Sequence, residues 1–214
     1  METNNIPTTD IEKKILEAAQ QEFLEKGFAN STTTEIANRA GCNQSLVHYY
    51  FRTKENLFQQ VFIKLMTDTL SHVFTHLTDE SLSLTQKIRT TINLYFNFLA
   101  RNPRIPFFIL GEMVLNRERR IAIKEQFIMN PLRVATYMQF CAIINKEIEN
   151  GNIRKIEPFD LLLNIMSLTA STFISLPLYA DLLDKTAQQQ QEYVEHRKEV
   201  IINLILKDLK NESL

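Results

Sequence analysis

Turn-forming residues are few: the 214-residue chain holds four glycines and six prolines. Sheets and phosphate-cradling loops need frequent tight turns and glycine-rich segments, so this scarcity speaks against a Rossmann or P-loop enzyme and for a mostly helical chain. Cysteine is sparse too. Cys42 and Cys141 stand in unlike surroundings without framework spacing, which predicts no disulfide and fits a reducing compartment. Nor is there an excess of either charge: 24 Lys and Arg against 25 Asp and Glu leave a formal net charge of -1, so any nucleic-acid contact must be local rather than carried by bulk charge. The polar, acidic start METNNIPTTD lacks the basic and apolar regions of a secretory leader, and the expected location is the cytoplasm.

What the chain does have is apolar content, 44% of its residues, enough for one core or two small ones. Ile11, Ile15, Ala19 and Phe23 recur every four residues, a helical stripe predicting a first helix over about 10–26, closed by Gly27 after the basic Lys26. Shorter helices are expected after the Ser31 to Thr34 hydroxyl run and after Asn43, then a long one from about residue 54 to 77. Further helices follow at about 83–101, 104–116, 118–150, 158–180 and 187–210, with Pro106 and Pro131 bending or offsetting theirs. No strand pattern is visible. Residues 161–180 carry no charge and are long enough to span a bilayer, yet Asn164, Ser167, Thr169, Ser171, Thr172, Ser175 and Pro177 dilute them. A helix buried in a helical interface is the expected reading.

Thr32 to Phe51, TTTEIANRAGCNQSLVHYYF, spells helix, turn, helix. Ala37 is small where two helices cross, Gly41 supplies a positive φ for the turn, and Ile36, Ala40, Val47 and Tyr50 fall on a shared interior. On the second of these helices Val47, Tyr50 and Phe51 share the inward face, whereas Ser45, His48 and Tyr49 point away and Gln44 sits at the exposed N-terminal edge. That outward face is polar, aromatic and uncharged. It is short enough to enter a major groove, where amides and hydroxyls read base edges while Thr and Lys at the flanks hold phosphates. Between Ser31 and Lys64 the basic Arg39, Arg52, Lys54 and Lys64 stand against Glu35 and Glu55.

From about residue 10 to 66 the chain resembles the N-terminal DNA-binding domain of the tetracycline-repressor (TetR) family of bacterial transcription regulators. The resemblance rests on ILEAAQQEFLEKGFANSTTTEIANRAG, NQSLVHYYF and KENLF at fixed separations. It implies an all-α chain: a three-helix helix-turn-helix domain over residues 8–66, with the motif at about 33–52, and a helical ligand-binding and dimerisation domain over 67–214. It further implies a ligand-responsive regulator, most often a repressor, that binds a palindromic operator in double-stranded DNA as a homodimer, without catalysis, cofactor, metal or membrane. Thr32, Thr33 and Thr34 match positions at the start of the second helix that touch phosphate or base. Gln44, Ser45, His48 and Tyr49 match recognition-helix contacts, Lys54 a phosphate contact, and Tyr50 a residue whose hydroxyl reaches phosphate while its ring stays in the core. Ser45 and His48 stand where the family often has Gly and Tyr, so base preference does not transfer.

Other readings of the same residues are a plain helical subdomain at 32–54, a helical protein-protein adaptor, or a bundle enzyme without DNA binding. His72 and His76 are spaced to share a metal, but a zinc site wants more ligands than are near; a solvated or packed pair is expected. Aromatic and Met residues between Tyr95 and Tyr137, Phe127 and Met129 among them, line a ligand cavity or fill the core. The candidate pocket residues are Tyr95, Phe96, Phe108, Met113 and Tyr137, with Glu112 and Arg117 as polar anchors, for an effector of unknown identity. The dimer interface is expected to be a four-helix bundle from 158–180 and 187–210, with Tyr193, Val194, Val200, Ile201, Leu204, Ile205 and Leu209 as its last stripe.

Overall fold

The computed structural model describes residues 8–125 and 130–210, and they form ten helices without a strand. The chain divides into two compact units, Met1–Met66 and Thr67–Leu214. Phe127 and Met129 lie outside the described residues.

In the first unit α1 (Thr8–Asn30) turns Ile11, Ile15, Ala18, Ala19 and Phe23 inward, the stripe the four-residue repeat requires. Gly27, at φ 73, kinks its last turn so that Phe28 folds back onto Phe23 and Phe58, with centroids 6.1 and 5.0 Å away. The regular helix therefore breaks at Gly27, the expected stop, and residues 28–30 add a short turn beyond the kink. A buried carboxylate joins α1 to α2 (Thr33–Ala40): Glu22 pairs with Lys26 at 2.6 Å and with Arg39 at 2.9 Å. Arg39 also grips Glu25 through two guanidinium nitrogens, at 3.1 and 2.7 Å. α3 (Gln44–Phe51) and the first turns of α4 (Lys54–Leu77) complete the unit, with Leu57, Phe58, Val61 and Phe62 buried.

The second unit takes the rest of α4 and adds α5 (Leu84–Arg101), α6 (Ile105–Leu115), α7 (Arg117–Ile123), α8 (Pro131–Glu149), α9 (Pro158–Leu182) and α10 (Ala187–Asp208). Ser83 with Gln86 and Thr186 with Gln189 form capping boxes that start α5 and α10. The single helix expected over 118–150 is two. Pro131 stands at the first position of α8, where its missing N–H costs nothing, and the Asn130 carboxamide caps that helix by accepting from Leu132 N at 3.0 Å. Val73, Leu77, Ile92, Phe96, Phe140, Ile144, Ile165, Phe173, Ile201 and Ile205 belong to one core, contributed by α4, α5, α8, α9 and α10.

Helix α9 is long and apolar enough to cross a membrane, but it buries Leu161, Ile165, Thr169, Thr172, Phe173 and Ala180, of which Leu161, Ile165 and Phe173 belong to this core. Val194, Ile201 and Ile205 of α10 and Leu209 at its C-cap face the same core, so four of the seven residues expected to pack across a dimer are used within the subunit. A bundle helix carries apolar residues on more than one side, and periodicity does not say which neighbour covers each.

Candidate nucleic-acid interface

Three caps set the geometry of the α2-α3 motif. Thr32, extended at φ -123, caps α2 by accepting from Glu35 N at 3.2 Å, while its hydroxyl donates to Glu35 Oε2 at 2.8 Å. Lys26 Nζ lies 2.7 Å from the other Glu35 oxygen. These contacts, the lysine's first, hold the Glu35 carboxyl below its ordinary range. At the far end Gly41 takes φ 68 and ψ 33, and the N–H groups of Gly41 and Cys42 return to Asn38 O (3.1 Å) and Ala37 O (3.0 Å). This left-handed closure satisfies carbonyls a helix end otherwise leaves bare. One residue after Cys42, Asn43 Oδ1 accepts from Leu46 N at 3.0 Å and α3 begins.

With only eight residues, α3 is held by what it buries: Val47 and Phe51 are inside, and Tyr50 is half-buried. Desolvation, then the neighbouring Tyr49 and Glu12, raise the Tyr50 phenol above its ordinary value. Gln44, Ser45, His48 and Tyr49 lie on the solvent side; Tyr49 is 65% exposed, its ring edge-on to Tyr50 at 5.1 Å. A large aromatic this exposed is unusual on a closed surface and suits a partner with flat faces or methyl groups. Thr32 and Thr34 are exposed beside it and Thr33 is half-buried.

Contacts among these residues were not visible in the sequence. Gln44 Nε2 donates to Thr33 Oγ1 at 2.8 Å and lies 3.4 Å from His48 Nε2, while His48 Nδ1 lies 3.2 Å from Arg52 O. Arg52 ends α3 at φ 65, a conformation rare outside glycine, and returns its N–H to His48 O at 3.0 Å. Lys54 is more committed than a phosphate contact needs: its ammonium donates to Phe28 O and Ser31 O, both at 2.9 Å, and stands 4.3 Å above the Phe28 ring. It thereby fastens the C-terminal end of α1 to the start of α4.

The candidate pocket residues are dispersed in the second unit. Tyr95 and Phe96 are core residues, Tyr137 packs against that core, and Phe108 is buried in α6. The Glu112 carboxylate pairs with Arg119 rather than Arg117, which is exposed, and Met113 O accepts from Arg120 at 2.7 Å. The His72 ring stacks on Phe98 at 4.4 Å, which is packing rather than solvation for that member of the pair, and Cys42 and Cys141 are both free.

Residues 15–61 match the family described as bacterial regulatory proteins, tetR family. The transcriptional repressor BepR of Brucella suis is 36% identical over 61 residues, a stretch covering 28% of this chain and 29% of BepR, so the chain matches under a third of that relative's length. Over nearly the whole chain the fold is that of a putative fatty acid metabolism regulator of Clostridium perfringens, with TM-score 0.69, 20% identity and 93% and 100% of the two chains covered. The Bacillus subtilis transcriptional regulator FadR, solved in complex with stearoyl-CoA, gives TM-score 0.68 at 18% identity, covering 92% of this chain and 99% of its own. The capped helix-turn-helix with its outward α3 thus lies in the stretch that matches the tetR family of bacterial regulatory proteins, within a fold shared with solved transcriptional regulators.

Proposed function

We propose that the protein is a DNA-binding transcriptional regulator of the repressor type, acting as a homodimer on a palindromic operator and released by a small-molecule effector. The observation that carries this reading is α3: a short helix capped at its start, buried along Val47 and Phe51, with Gln44, Ser45, His48 and Tyr49 turned outward together. Thr32, Thr34 and Tyr50 flank this face, and Lys54, with two of its three N–H groups spent on carbonyls, keeps one for a phosphate. Recognition helices in a symmetric dimer then enter successive major grooves about 34–36 Å apart.

The dimer reading draws on α9. Asn164, Ser167, Ser171, Ser175, Leu178 and Leu182 form one exposed stripe without charge. Its serines return their hydroxyl protons to carbonyls of their own helix at 2.6, 3.0 and 2.7 Å, so burying them leaves no donor unmet, and their small size lets a second helix approach closely. For the effector, a groove of about 360 Å³ runs between the second half of α4 and α8, with Leu70, Phe74 and Leu132 as apolar walls and Arg133 held by Thr67 at 2.6 Å. Its size and lining suit a small molecule with an apolar body and an anionic group.

Selection of bound duplexes from random DNA tests the reading. Enriched sequences should be palindromic, their affinity should fall steeply with added salt as phosphate contacts release counterions, and the bound species should sediment as a dimer. Ser171→Arg should give a folded monomer with weakened operator binding, and decanoate, an apolar body with an anionic group small enough for the groove, should lower operator affinity. An unselective protein, or one that binds a single half-site as a monomer, refutes it.

A further inference from the structure

The hydrogen-bond chain across the candidate reading face assigns a polarity to Gln44. Arg52 O is a carbonyl and only accepts, so His48 Nδ1, 3.2 Å away, carries the proton. A neutral imidazole protonated at Nδ1 leaves Nε2 as an acceptor, and Gln44 Nε2, 3.4 Å away, supplies the hydrogen. The second hydrogen of the same amide goes to Thr33 Oγ1 at 2.8 Å. Both donors of the Gln44 carboxamide are thus spent inside the protein, one on α2 and one on α3, and Oε1 is the atom left to face outward.

We propose that Gln44 reads its base as an acceptor, with Thr33 and His48 as positioning residues that hold its amide in that sense. This rests on the DNA-binding reading above. In a major groove the complementary donors are the amino groups of adenine N6 and cytosine N4, whereas guanine and thymine offer acceptors at the same edge. The two-bond glutamine-adenine pair is ruled out, because it needs an amide hydrogen for adenine N7. The position read by Gln44 therefore accepts adenine or cytosine on the strand it faces, and rejects guanine and thymine.

Selection from a random duplex library with the full-length wild type, Gln44→Ala, Thr33→Val and Thr33→Ser separates the alternatives. Comparing wild type with Gln44→Ala locates the position; there the wild type should enrich adenine and cytosine to within a few-fold of each other, and Gln44→Ala should flatten the preference. Thr33→Val keeps the branched shape but removes the acceptor, freeing one amide hydrogen for adenine N7, so adenine should rise over cytosine by about ten-fold or more. Thr33→Ser restores the acceptor and should restore the wild-type pattern, which a loss of packing alone would not do; circular dichroism checks that each variant is folded. Strong wild-type preference for adenine alone, or for guanine or thymine, overturns the inference, as does a Thr33→Val pattern identical to wild type. Enrichment with no Gln44-dependent position overturns the inference but leaves the DNA-binding reading standing, whereas no enrichment at all overturns both.

Discussion

Lys54→Met offers the sharpest separation of scaffold from contact. The substitution keeps an apolar stem over Phe28 but deletes the ammonium that donates to Phe28 O and Ser31 O, both at 2.9 Å. Each charge-assisted bond contributes a net of about 1.5 kcal/mol at the low end, and the cation over the ring at 4.3 Å adds about 0.5 kcal/mol. Water reaching the two carbonyls in the variant recovers part of this, so the expected loss is about 2–3 kcal/mol, roughly 30- to 150-fold in the local opening equilibrium. A DNA-binding assay alone cannot locate the cause, because a looser motif and a lost phosphate contact both lower affinity. Amide hydrogen exchange without DNA can: protection in α2 and α3 should fall by that factor, whereas the second unit should be unchanged. Unaltered exchange in α2 and α3, with DNA affinity lowered equally on all sequences and a flatter salt dependence, would refute the clamp and leave Lys54 purely a phosphate contact.

Two further outcomes follow from the caps. Gly41→Ala should destabilise the first unit by about 1–2 kcal/mol in urea unfolding; a Cβ there meets nothing within 4 Å, so the cost is backbone strain at φ 68, and Gly41→Asn should lose less. Equal losses for Ala and Asn would contradict that cause. Glu35 has its carboxyl lowered from 4.5 by Lys26 and Thr32, so its contribution to stability is fully present above that ordinary value and disappears as pH falls through the lowered one. Thermal unfolding of Glu35→Gln should show a shallower acid limb than wild type below about pH 4.5, and superimposable limbs would show that the pairing carries no stability.

The first unit was legible in the chain itself because its signals are local. The stripe of Ile11, Ile15, Ala19 and Phe23, the positive φ at Gly41 and the caps at Thr32 and Asn43 each act within a few residues, and they already place Gln44, His48 and Tyr49 outside and Val47 and Phe51 inside. Periodicity sufficed there because each short helix has a single buried side.

Tertiary structure alone decided what lies between elements. Lys54 closes on carbonyls 26 and 23 residues away, and nothing in its neighbourhood distinguishes that from a solvent-facing lysine. Gln44 spends its amide on Thr33, eleven residues back across the turn. In the second unit Glu112 chose Arg119 over the nearer Arg117, and α10 with its C-cap turned Val194, Ile201, Ile205 and Leu209 into its own core. Local sequence sets which residues prefer a helix and which avoid water. Which apolar face meets which, and which of several cations reaches a given oxygen, depends on how helices far apart in the chain are brought together.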